Sequence, residues 1–186
     1  MNLSEAEPTA SAMVNMKLLA PGNKASADRF FATFSKNAFL RVFICLTPTE
    51  EVSGEDDKGA ASGEKKKKPR PVPIGYLAMW SRGGSEALHH RAADMGFALG
   101  PEYRGKGYGS EAINWAVDWG FLRAGLHRVG LQAFGCNPAA LRLYKKLGFV
   151  EEGREREALL FERKWYDVYS MGMLEHEWEK LRGLAE

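Results

Sequence analysis

The chain has little of what several protein classes require. Its 186 residues include only two cysteines, Cys45 and Cys136, which are too few for a disulfide framework or a cysteine-based metal site. It has no apolar run long enough to span a membrane and no signal-peptide pattern. Its formal net charge of +2 is close to zero, which argues against binding nucleic acid by neutralising phosphates. We therefore predict a cytoplasmic protein without metal, nucleic-acid or membrane partners.

Large apolar residues are nearly missing from residues 48–73, a stretch of Gly, Ala, Ser, Pro and self-cancelling charge. Such a segment cannot bury enough surface to offset its ordering entropy, so we predict a disordered insertion in a hairpin. Its basic run K-K-K-K-P-R, residues 65–70, matches a nuclear-import cluster and opens a nuclear location as an alternative. A solvated charge run is the reading that we favour.

The spacing of apolar residues predicts alternating helices and strands without an internal repeat. We predict a helical N-terminal region at 1–37, a main domain at 38–174 and a polar C-terminal tail at 175–186. Strands are predicted at 38–47, 74–81, 94–100, 128–134, 157–161 and 165–174, and helices at 110–124 and 139–147. Hairpin-linked strands with interspersed helices indicate an α/β (α+β) mixed sheet.

A glycine-rich turn joins a strand to a helix in M-G-F-A-L-G-P-E-Y-R-G-K-G-Y-G, residues 95–109. The first N–H groups of a helix lack internal partners and lie at the positive end of the helix dipole. Glycines let these groups converge on a phosphate, and Arg104 and Lys106 add positive charge. The glycine positions fit neither the G-x-G-x-x-G nor the Walker A pattern. The turn is a candidate pyrophosphate site.

A second motif follows, N-P-A-A-L-R-L-Y-K-K-L-G-F at residues 137–149, where Asn137 is a good N-cap and Pro138 suits the first helical position. Together with the pattern R-x-x-G-x-G in the turn, it resembles the two acetyl-CoA segments of the GNAT superfamily of N-acetyltransferases. Residues 151–174 are similar to the branch that holds spermidine/spermine and ribosomal-protein alanine acetyltransferases. The resemblance covers residues 39–174 apart from the insertion.

The resemblance implies a mixed, mostly antiparallel central sheet, flanked by helices and splayed in the middle to hold acetyl-CoA. It implies acetyl transfer from acetyl-CoA, without a metal, to a polyamine, another small amine or a protein N-terminus. The implied cofactor-binding residues are Phe97, Ala98, Leu99, Arg104, Gly105, Lys106, Gly107, Tyr108, Gly109, Ser110, Asn137, Ala140, Tyr144 and Lys146.

The chain departs from the family pattern at its start, where no clear first strand is visible. The strand is either absent or hidden near Met13 to Leu19. If it is absent, the sheet has an exposed edge that a second subunit could cover, which makes a homodimer a candidate assembly.

Two residues carry the predicted chemistry. Tyr144 matches the family's tyrosine and is the candidate acid that protonates the leaving thiolate, and a core aromatic residue is the alternative. Asp94 aligns with a glutamate of polyamine-acetylating relatives and is the candidate base, acting through a water. Glu86 and Glu102 are weaker alternatives for the base, and a backbone N–H near Leu99 is expected to stabilise the oxyanion.

Two alternatives stay open at this point. Cys136 stands beside Asn137 and could form an acetyl-enzyme, although the resemblance implies direct transfer. The rival function is a non-catalytic acyl-CoA-binding sensor or interaction module on the same fold.

Overall fold

The structure is a computed structural model that describes residues 38–47 and 70–184. Four predictions fall outside these residues: the helical region at 1–37, the hidden strand near 13–19, nearly all of the insertion at 48–73, and residues 65–69 of the basic run. They remain predictions.

In the part of the chain that the structure describes, six strands form one sheet in the order β1-β2-β3-β4-β6-β5. All neighbours are antiparallel except β3 and β4, which run parallel, so the predicted mixed and mostly antiparallel sheet is confirmed. The strands are β1 (Ala38–Leu46), β2 (Val72–Ser81), β3 (Ala92–Leu99), β4 (Arg128–Phe134), β5 (Val150–Phe161) and β6 (Lys164–Leu174).

Within residues 38–47 and 70–184, three α-helices accompany the sheet: α1 (Tyr108–Leu122), α2 (Pro138–Lys146) and α3 (Glu175–Arg182). The main core joins the first two helices to one side of the sheet, which we call the helical face, where Met79, Met95 and Val129 pack with Ile113 of α1 and Tyr144 of α2. Side chains alternate between the two sides of a strand, so the neighbours of these residues point to the opposite side, the second face. The second face includes Trp80, Asp94, Arg128 and Gly130.

The sheet is split between its two parallel strands. Strands β3 and β4 pair only from Ala92 opposite Arg128 to Asp94 opposite Gly130, and beyond these residues no pair joins them. The ends of the two strands therefore diverge toward the starts of α1 and α2. This confirms the predicted splay and places the site at the centre of the sheet.

The structure corrects three boundaries. The insertion was predicted to reach residue 73, but Val72 and Pro73 already pair with β1 as the start of β2. The final hairpin was predicted to begin at residue 157, whereas β5 is continuous from Val150 to Phe161. An irregularity between Glu155 and Leu159, with Glu157 at a φ of +51°, breaks the alternation on which the prediction relied.

The third correction concerns the polar C-terminal tail at 175–186, for which no helix or strand was predicted. Residues 175–182 form α3, and Trp178 within it is only 4% exposed. At its start, the Leu174 N–H donates to the Glu177 carboxylate at 2.8 Å, and Gly183 ends the helix in the left-handed conformation. The buried indole fixes this segment against the domain.

Candidate active site

The glycine-rich turn leads from β3 into α1 on the helical face of the split. A short 3-10 helix (Pro101–Tyr103) follows β3, and Gly107 is the N-cap of α1. Gly105 and Gly107 have φ values of +73° and +91°, which L side chains rarely adopt. No side chain caps α1, so the first N–H groups of the helix have no partner within it.

The turn fits a diphosphate. A Cβ added to Gly105 or Gly107 would meet nothing within 4 Å, so the space over the turn is open. Arg104 folds back so that its Nε donates to the Leu99 carbonyl at 3.2 Å, and the Lys106 Nζ lies 5.9 Å from the centre of the Tyr103 ring. Arg104 and Lys106 thus belong to the turn that leads into a helix start whose first N–H groups have no partner within the helix, and such helix starts bind phosphate groups in proteins.

Phe97 connects this turn to the second motif. A Cβ on Gly109, in the first turn of α1, would lie 3.3 Å from the Phe97 ring and 3.5 Å from a methyl carbon of Leu99. The same Phe97 ring meets Tyr144 of α2 edge to face, with centroids 6.4 Å apart. The predicted strand end, helix start and tyrosine are therefore brought together across the split.

Tyr144 is 8% exposed and also contacts Phe149 edge to face at 6.0 Å. Burial raises the pKa of its phenol to about 12. The phenol is thus protonated at neutral pH and carries a proton that it can donate. A thiol has a pKa of about 8.5 and an ordinary tyrosine a pKa of about 10. The raised pKa of Tyr144 therefore lies further from the thiol pKa than that of an ordinary tyrosine. Burial in the same cleft would also raise the pKa of the CoA thiol, which narrows the difference between the thiol pKa and the Tyr144 pKa.

The start of α2 is built as predicted. The Asn137 Oδ1 accepts a hydrogen bond from the Ala140 N–H at 3.1 Å, and Pro138 occupies the first turn. The side-chain amide nitrogen of Asn137, Nδ2, remains available to donate a hydrogen bond to the pantetheine arm of an acetyl-CoA lying in the split. Lys146 is exposed in the last turn of α2, about 13 Å along the helix from Asn137, and its role in cofactor binding stays a prediction.

Asp94 is the last residue of β3 to pair with β4, and it lies on the second face at the closed end of the split. Burial raises the pKa of its carboxyl, while the charges of Arg82 and Arg128 oppose that rise. A raised pKa makes a carboxylate a better proton acceptor. Glu86, in the exposed 3-10 helix before β3, and Glu102, in the turn after it, both lie outside the paired end.

Three charged residues whose charges act on Asp94 were missed in the sequence: Arg82, Arg128 and Glu152. Arg128 binds Glu152 through both guanidinium Nη atoms, and the charges of both residues act on Asp94. These residues are distant in sequence and meet only because β6 lies between β4 and β5. No local pattern marks them.

Cys136 is partly buried against Phe134 of a small second cluster. Burial raises the pKa of its thiol, which lowers the thiolate fraction that a nucleophile needs. The part of the chain that the structure describes holds no group of three His, Cys, Asp or Glu residues suited to a metal ion. Within the same ranges, 38–47 and 70–184, no helix is long and apolar enough to cross a membrane.

The split sheet, the glycine turn and the capped second helix define an acetyltransferase fold. Residues 42–149, more than half of the chain, match the model of the acetyltransferase (GNAT) family, and the chain belongs to this family. The family and the fold that the sequence motifs predicted are therefore confirmed. The family uses acetyl-CoA as its co-substrate, and the residues of the turn fit its diphosphate.

Among curated proteins, the chain resembles the spermidine N(1)-acetyltransferase of Vibrio cholerae, with 36% identity over 89 residues, 48% of this chain and 51% of that protein. It is also 28% identical over 113 residues to YdaF of Bacillus subtilis, whose name assigns it provisionally to ribosomal N-acetyltransferases, covering 58% of this chain and 62% of that protein. The chain thus spans about half the length of the first relative. Both branches expected from the sequence are represented.

Two solved structures of the Vibrio cholerae spermidine N-acetyltransferase are similar to this chain. The complex with CoA and spermine superimposes with a TM-score of 0.68 at 22% identity, covering 95% of this chain and 88% of that one, and shows the shared fold. A dodecameric structure in an intermediate state gives a TM-score of 0.51 at 31% identity, covering 62% and 63%.

Proposed function

We propose that this protein transfers the acetyl group of acetyl-CoA directly to a primary amine. The observation that carries the proposal is the split itself: Phe97 joins the glycine turn of α1 to Tyr144 of α2, and Asp94 marks the closed end. The turn binds the diphosphate of acetyl-CoA, which supplies the activated acetyl group. Asp94 accepts the proton of the amine through a water, and Tyr144 donates a proton to the leaving sulfur.

Polyamines are the first acceptor class to test. The relative from Vibrio cholerae is named for acetylating spermidine, and this similarity puts polyamines first. A protein N-terminus is the second candidate, because YdaF carries a ribosomal assignment. Other small amines remain in the same test.

Acetyl-CoA is expected to stabilise the protein against heat. A ligand at 100 times its dissociation constant adds about 2.7 kcal/mol, which raises the Tm of a domain of this size by roughly 5–10 °C. Calorimetry measures the affinity, and a thiol-reactive dye then measures CoA release with spermidine, spermine, amino acids, aminosugars and peptides. Stabilisation without thiol release from any amine favours the non-catalytic sensor. If acetyl-CoA produced no binding heat in calorimetry and no thermal shift, the proposal would be contradicted.

Replacing Gly107 with Ala is expected to weaken acetyl-CoA binding by roughly 5–30-fold. The residue has a φ of +91° with open space around it, so the effect is strain of about 1–2 kcal/mol rather than a clash. The turn would relax and withdraw its N–H groups from the diphosphate. Gly125→Ala is the matched control, because Gly125 also has positive φ and open space but lies beyond the far end of α1. Equal affinities for the two variants would contradict the role of the turn.

The predictions on assembly, location and partners are part of this proposal. The relative from Vibrio cholerae forms a dodecamer, which supports a search for the predicted homodimer or a larger assembly by light scattering. A cytoplasmic location, the nuclear alternative, and the expected lack of nucleic-acid and membrane partners stay predictions.

A further inference from the structure

Four charged side chains meet at the closed end of the split and form what we call the charged row: Arg82, Asp94, Arg128 and Glu152. Arg82 directly follows β2, and its N–H donates to the Ala92 carbonyl at 3.0 Å. Asp94 feels the charges of the other three. The row alternates positive and negative across the second face.

Two glycines make the charged row possible. A Cβ on Gly130 would lie 2.7 Å from the Asp94 Oδ1 and 3.8 Å from the Arg128 Nη2. A Cβ on Gly172, the β6 partner of Gly130, would lie 2.6 Å from the Glu152 Oε1 and 2.8 Å from both Nη atoms of Arg128. The charged groups therefore lie flat on backbone that carries no side chain. Asp94 and Arg128 overlie the same glycine.

We propose that Arg128 is a positioning residue that acts through Asp94. Glu152 binds Arg128 and so limits the electrostatic effect of Arg128 on Asp94. The guanidinium lies between the two carboxylates and forms its hydrogen bonds with Glu152. Its charge acts on Asp94, whose carboxylate lies over Gly130 at the last paired residue before the split opens. This inference rests on the proposed function, because it assigns a role to the residues around the proposed base.

The charges around Asp94 make the proposal directional. Burial raises the pKa of the Asp94 carboxyl, Arg82 and Arg128 lower it, and Glu152 raises it. Glu177, at the start of α3, adds its charge to those acting on Arg128. A base works only when it is ionised, so its folded-state pKa sets the acid limb of the pH dependence of kcat/KM.

Replacing Arg128 and replacing Glu152, each in a separate variant, are expected to shift the acid limb of kcat/KM in opposite directions. Arg128→Gln removes a cation, raises the pKa of Asp94 and shifts the limb to higher pH by about one unit. Glu152→Gln removes an anion and frees Arg128 for Asp94, so the limb shifts to lower pH. A pair that only ties β4 to β5 would instead lower the Tm of both variants and leave the limb in place.

The experiment measures kcat/KM from about pH 3.5, below the ordinary aspartate pKa of about 3.9, to about pH 9, with the most active amine of the panel, spermidine first. The ionisation of the amine is the same for all variants and cancels in the comparison. Arg128→Lys keeps the charge and is expected to keep the limb near the wild-type position. Asp94→Asn is expected to abolish the limb.

Opposite shifts for Arg128→Gln and Glu152→Gln support the inference, and shifts in one direction or no shift overturn it. If Arg128→Gln does not fold, Gly172→Ala replaces it, because the added methyl displaces the pair without changing charge. Its limb must then move, and a fixed limb overturns the inference. A wild-type protein that releases no thiol overturns the proposed function as well, whereas an active protein with fixed limbs overturns this inference alone.

Discussion

Replacing Tyr144 with Phe is expected to lower kcat by about 10²–10³-fold and to leave the KM for acetyl-CoA within about twofold. The substitution removes only the hydroxyl and keeps the ring that packs on Phe97 and Phe149. The loss should therefore appear in the proton transfer to the leaving sulfur and not in binding. Steady-state kinetics with the thiol-reactive dye, together with acetyl-CoA calorimetry, check both parts.

The control for this variant is Tyr169→Phe, which removes a hydroxyl from a partly buried tyrosine of β6 whose ring lies against Arg154. Its kcat is expected to stay near the wild-type value. Because burial raises the pKa of Tyr144 to about 12, ionisation of the phenol should not limit activity near neutral pH. A Tyr144→Phe enzyme with wild-type kcat would show that the ring is a core residue and that another group protonates the sulfur.

The parts of the site that the sequence predicted are those set by neighbouring residues. The turn needs φ values above zero at Gly105 and Gly107, and the α2 cap needs Asn137 followed by a proline. Such requirements are local, so they leave motifs that can be recognised in a single chain. The split between β3 and β4 came from the family resemblance and not from any local pattern.

The parts that were missed depend on contacts distant in sequence. Arg128 meets Glu152 only through the strand order β4-β6-β5, and Asp94 approaches Arg128 only because Gly130 leaves room. The pKa of Tyr144 is likewise set by packing that no spacing reveals. Interruption of β5 near Glu157 hid a continuous strand, because a bulge reverses the alternation of faces.

Helix α3 is the clearest case of structure that depends on contacts distant in sequence, because one buried indole holds it against the domain. Its sequence is charged almost throughout, which favoured a tail, yet Trp178 stacks on Phe121 with centroids 5.2 Å apart. The indole N–H donates to Asp118 of α1 at 2.7 Å, and the Nε of Arg182 donates to the same carboxylate oxygen at 2.9 Å. A polar segment is thus fastened to the helix whose start carries the glycine turn.

Replacing Trp178 with Ala is expected to lower the free energy of unfolding by about 3–5 kcal/mol and the Tm by roughly 10 °C, because it empties a buried aromatic site. Thermal and denaturant unfolding measure the loss. Trp115→Ala removes an indole that is 49% exposed on α1, and it should change stability by no more than about 0.5 kcal/mol. Equal stability of the two variants would mean that α3 does not hold the domain together. A much larger loss for Trp178→Ala would show that α3 stabilises the domain through its contacts with Phe121 and Asp118 of α1.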